Sequence, residues 1–97
     1  MLEFRCDRGS GSVLMIRPGT GSDATMTTVT TTSTARAVTA RPVAGPIPQL
    51  VVSIPARDPL LDAIVFSRGR FAVETQGLAT LYLPSWPEVA RVIEDCR

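Results

Sequence analysis

The stretch TMTTVTTTSTARAVTARP, residues 25–42, decides how the rest of the chain is read. Threonine and valine are good strand formers, so a β reading is open. Its larger apolar residues are Met26, Val29 and Val38, at spacings of three and then nine, which mark out no period-two face. So many short polar side chains offer too little apolar surface to offset the entropy lost on ordering. The overlapping segment RPVAGPIP gathers Pro42, Gly45, Pro46 and Pro48 into seven positions, a linker composition stiffened toward polyproline II. The expectation is a Thr/Ser/Pro-rich low-complexity linker over residues 19–46, largely disordered or extended. From Met26 onward the stretch also has the Ser/Thr/Ala-rich, Arg-containing, acid-free composition of an organellar leader, a minor alternative that would make Met26 the true start.

The regions on either side follow from this reading. In residues 1–18, LEFRC and SVLMIR are short apolar runs around a turn-rich Asp7–Gly11, which predicts a β-hairpin or else a disordered extension. After the linker the character changes. QLVVSIP is a strand closed by Pro55. DPLLDAIV carries a helix start, with Asp58 as N-cap, Pro59 at the first helical position, Asp62 in the first turn and Gly69 where a C-cap would fall. The competing reading is a strand at residues 63–67, supported by β-branched Ile64 and Val65. RFAVETQGLATLYLP alternates about a Gln76-Gly77 turn as a second hairpin. SWPEVARVIEDC has Ser85 and Glu88 at capping-box spacing, Pro87 in the first turn, and Trp86, Val89, Ala90, Ile93 and Cys96 on one apolar helical side.

The predicted architecture is therefore a small α+β domain over residues 47–97, in the order β-α-β-β-α. A small antiparallel sheet would pack on the C-terminal amphipathic helix, preceded by a largely disordered or extended N-terminal arm. About 51 ordered residues make a marginal core, which favours oligomerisation or a partner.

Composition narrows the chemistry. The chain of 97 residues has no histidine and no lysine. That removes imidazole bases, Ser-His-Asp and Cys-His arrangements, the Walker A lysine and Schiff-base chemistry. Asp58 and Asp62 suit helix capping, and Glu94 and Asp95 suit a solvated helix face, so no acid–base pair stands out. The protein is not expected to be an enzyme, and no cofactor or metal is expected. Cys6 and Cys96 form no CxxC pair. MLEFRCDRGSG lacks the uninterrupted apolar core of a secretory leader, so two free thiols and a cytoplasmic location are expected. No run of about 18 apolar residues is present, so no membrane span is expected.

Net charge is +1, with six arginines against three acids in residues 1–57 and four against six in residues 58–97. Arginine is the sole basic residue type, a bias that covers every position and so names no partner. These observations predict a non-enzymatic binding or regulatory module that acts through protein–protein contact, in an oligomer or assembly. Trp86, Val89 and Ile93 are its candidate partner-binding residues. The alternative is a nucleic-acid-binding regulator that uses Arg68 and Arg70, around the turn glycine of SRGR, with Arg36 and Arg41 of the arm.

Overall fold

Four β-hairpins and a helical crossover build the protein in its computed structural model, which describes residues 2–20 and 25–97. The elements run β1 (Glu3–Asp7), β2 (Ser12–Pro18), β3 (Thr25–Thr30), β4 (Ala35–Val43), β5 (Gln49–Pro55), α1 (Pro59–Val65), β6 (Arg70–Thr75), β7 (Leu81–Pro84) and α2 (Pro87–Cys96). All seven strands join one antiparallel sheet in the order β1-β2-β5-β4-β3-β6-β7. Within it β3, β4 and β5 form a meander and β2 returns beside β5, a Greek key. The sheet curls into a half-barrel, and α2 packs on its β1–β2 end.

This corrects the expected α+β fold with a disordered arm. Residues 25–43 are β3 and β4, near the middle of the sheet, and residues 21–24 of the predicted linker lie outside the described residues. Threonine explains the difference. Strand β3 does alternate, with Thr25, Thr27 and Val29 buried, while Met26 points outward, half exposed. Thr25 is 4% and Thr27 1% exposed, so threonine methyls fill core positions that a count of aliphatic residues leaves blank. Burial of their hydroxyls is tolerable because they find partners: Thr27 Oγ1 donates to Thr75 Oγ1 at 3.3 Å.

Strand β4 then joins the two halves of the sheet. Residues Ala35–Ala40 pair with β3, and Arg41–Val43 pair with β5. An extended arm would swell the molecule, yet the Cα radius of gyration is 12.5 Å, the value of about 12.5 Å expected for a compact 97-residue domain. The strand, helix, strand, strand and helix after Ile47 lie close to where the pattern places them, but they make no separate domain. Strand β5 sits between β2 and β4, both drawn from the N-terminal part.

The core lines the concave face. Val13 and Met15 of β2, Val29 of β3, Leu50, Val52 and Ile54 of β5, and Phe71 and Val73 of β6 meet Leu60, Leu61 and Ile64 of α1 and Val89 and Ile93 of α2. Phe4 closes the opening. Its ring lies 6.2 Å from that of Phe71 and 6.1 Å from that of Trp86, both edge-on, and Phe71 stacks on Trp86 at 6.4 Å. These contacts bring β1, at one end of the strand order, against β6 near the other.

The helix starts differ in detail from expectation. Asp58 caps α1, accepting from Leu60 N at 2.9 Å. The Ser85–Glu88 capping box does not form: Trp86 is the N-cap of α2 and makes no side-chain cap bond, while Ser85 Oγ donates to Ile64 O at 2.8 Å. Gly69 lies past the end of α1, whose C-cap is Phe66, and its φ of +80° serves the turn into β6.

The cysteines also depart from expectation, since Cys6 of β1 and Cys96 of α2 are joined by a disulfide across a separation of 90 residues. Each sits on the core side of its element, so packing alone brings them within bonding reach. A closed loop of that length restricts the unfolded chain strongly. Replacing both cysteines by serine is expected to lower the unfolding free energy by about 2–5 kcal/mol, read as a lower urea midpoint. An unchanged midpoint would contradict the pairing.

Candidate functional site

The residues nominated from the sequence fall in three different places. Val89 and Ile93 are each 1% exposed and lie inside the core, so they have no surface to offer a partner. Trp86 is half-buried in the aromatic cluster and borders an open groove of about 300 Å³, shared with Leu2, Phe4 and Val92. The apolar side of α2 is thus spent on the protein's own sheet.

The arginines divide likewise. Arg36 stands in register with Val29, and Val29 with Val73, so its side chain leaves the core-facing side of β4. There it grips Asp58 through both terminal nitrogens, NH1 to Oδ1 at 2.7 Å and NH2 to Oδ2. Asp58 therefore caps α1 and anchors it to β4 at once. Its carboxyl is held below the usual range by the guanidinium and by the Leu60 amide, against the opposing effect of burial. Arg41 is exposed on the opposite face, in register with Val51 of β5. Arg68 lies beside the β3–β4 turn, where its N–H donates to Thr32 Oγ1. Six residues separate the start of β4 from Arg41, about 20 Å along a strand. The four arginines consequently form no single basic surface.

Arg70 stands beside an exposed aromatic residue, Tyr82, that gave no periodic signal in the sequence. The turn between α1 and β6 is pinned by Ser67, whose hydroxyl donates to Arg70 O at 2.7 Å and accepts from Thr32 N at 3.2 Å. Phe66, just before this turn, is 77% exposed. Tyr82 of β7 is 65% exposed, and the guanidinium carbon of Arg70 stands 5.4 Å from its ring centroid. Across the register Tyr82 faces Ala72, Ala72 faces Thr30 and Thr30 faces Ala35, so small residues carry the patch across the convex sheet. The sheet edge beside it is a poor template for strand addition. Strand β7 has four residues and ends at Pro84.

The acids suit structure better than catalysis. Asp62 accepts from Arg97 NH2 at 2.8 Å, and Arg97 Nε donates to Ala56 O at 2.7 Å, which fastens the end of α2 to α1. Among the described residues no three Cys, Asp or Glu side chains lie close enough to hold a metal. No helix among them is long and apolar enough to cross a membrane. One group remains apart: Arg17, on the core-facing side of β2, donates to Thr75 Oγ1 at 3.4 Å and to Ala79 O at 3.2 Å, and its partial burial lowers its pKa.

The fold and surface thus define a mostly β protein, a seven-stranded half-barrel that carries exposed Tyr82 beside Arg70 on its sheet. No family model matches the chain, and neither a curated protein nor a solved structure matches it.

The Arg36–Asp58 contact has a pH signature. A carboxyl whose folded pKa is lowered adds stability above the ordinary carboxylate pKa of about 4, and that share is lost as pH falls through the lowered value. Arg36→Met is expected to cost about 1 kcal/mol at neutral pH and to flatten this acid limb, as measured by urea midpoints between pH 2 and pH 7. Parallel curves for variant and parent would show that the contact contributes nothing.

Proposed function

We propose that the protein is a non-enzymatic binding module that acts through protein–protein contact, with Phe66, Arg68, Arg70 and Tyr82 as its contact surface. The carrying observation is the exposed Tyr82 ring with the Arg70 guanidinium beside it; a second exposed ring, Phe66, precedes the turn that leads into Arg70. Tyrosine, phenylalanine and arginine are enriched in protein interfaces, and clusters of them supply most of the binding energy. The stacking of Arg70 over Tyr82 holds the guanidinium ready for contact and reduces the side-chain entropy that binding would cost. The lack of histidine and lysine in the chain leaves few routes to catalysis and favours a binding role.

The cytoplasmic location expected from free thiols loses its support once Cys6 and Cys96 are paired. Lasting disulfides belong to oxidising compartments, and we place the protein's working environment there.

A photo-crosslinking phenylalanine analogue at position 66 tests the contact surface, with the same analogue at exposed Arg91 as control. The expected result is a discrete protein adduct from position 66 in the cells that make the protein, lost when Tyr82→Ser and Arg70→Ser are added. A nuclease-sensitive adduct would move the reading to nucleic acid. Equal labelling from both positions would overturn the surface altogether.

A further inference from the structure

We infer that β1 is a self-recognition strand: two copies of the chain pair through it, antiparallel about a twofold axis at Phe4, and join their sheets edge to edge. Strand β1 ends the sheet and pairs with β2 alone. Among the described residues no turn, loop or helix backbone bonds to Glu3–Asp7. Alternate N–H and C=O groups of β1 therefore point away from the sheet without a backbone partner.

The open groove of about 300 Å³ runs along this edge. Glu3 and Phe4 both line it although successive side chains leave opposite faces of a strand, so the groove lies at the rim of β1 and not on one face. Leu2, Trp86, Val89 and Val92 make its walls apolar, and Phe4 and Trp86 are only half-buried there.

Charge selects both the occupant and the register. Edge strands often carry charges that repel a second copy, but those of β1 are self-complementary. If like faces are to meet, a twofold axis normal to the sheet passes through one residue. At Arg5 it would set Arg5 against itself and Glu3 against Asp7, and at Glu3 it would set two Glu3 side chains together. At Cys6 it would run Phe4 into the turn after β1 and leave the groove uncovered. At Phe4 it sets Glu3 against Arg5 of the second copy, twice. Glu3 and Arg5 already touch within one chain at 2.7 Å, so four charges alternate in sign around the axis. On the other face the same axis sets Phe4 against Phe4 and Leu2 against Cys6, which brings the two apolar grooves together. Neither Arg70 nor Tyr82 takes part, so this pairing is separate from the Tyr82 surface.

Sedimentation equilibrium provides the test. At about 0.1 mM the chain is expected at twice its monomer mass of 10.4 kDa. Glu3→Arg and Arg5→Glu each place four like charges around the axis, and each is expected to weaken dimerisation roughly tenfold to a hundredfold. The Arg5 and Glu3 side chains are 64% and 51% exposed, so both variants keep the fold. Mixed in equal amounts, the two variants again oppose unlike charges and are expected to dimerise with each other. A monomeric parent, variants that dimerise as well as the parent, or a mixture that stays monomeric would each overturn the pairing.

Discussion

Strand β3 takes β4 along one edge and β6 along the other, so the sheet is continuous only while Thr25–Thr30 keeps its alternation. Three buried side chains hold that register, those of Thr25, Thr27 and Val29. A slip by one residue would turn Met26, Thr28 and Thr30 inward and set Val29 in solvent. Everything on the β6–β7 side hangs from this strand, including the Arg70–Tyr82 patch. The β1–β2–β5 side is joined to it through β4, which changes partners at Arg41.

Closure of the half-barrel depends on contacts distant in sequence. Phe4, Phe71 and Trp86 meet from β1, β6 and the lead-in to α2, and the disulfide ties β1 to the last turn of that helix. Arg36–Asp58 fixes the start of α1 to β4, and Arg97 with Asp62 fixes the end of α2 to α1. Charged side chains near the rim thus position helices whose apolar faces fill the interior. The same economy explains why Trp86, Val89 and Ile93 are largely consumed internally, and why the free aromatic surface lies instead at Phe66 and Tyr82.

Local signals in the sequence were legible where a single element carried them. The turn around Gly11, the strand ending at Pro55, the Asp58-Pro59 helix start and the period of Val89 and Ile93 each report their own segment. What stayed hidden was set by tertiary pairing. Thr27 counts as polar in isolation and becomes a core residue because Thr75 lies opposite. Ser85 reads as a cap, and its hydroxyl is drawn instead to the carbonyl of Ile64. Cys6 and Cys96 lie at opposite ends of the sequence, and only the packing of α2 on β1 brings them together. The contact patch was half visible: Arg68 and Arg70 stood out around Gly69, whereas the exposure of Phe66 and Tyr82 has no periodic signature.

A low-complexity appearance here conceals a strand because small β-branched side chains can serve either solvent or core. Native-state hydrogen exchange of the Thr25–Thr30 amides tests this most directly. With β3 paired on β4 throughout and on β6 from Thr27 onward, the Thr27–Thr30 amides among these are predicted to exchange as slowly as those of Val13–Ile16 in β2, through global unfolding alone. Exchange at the rate of an unfolded peptide, with β2 and β5 still protected, would show that the threonine-rich stretch is a loose arm and that the seven-stranded sheet does not exist.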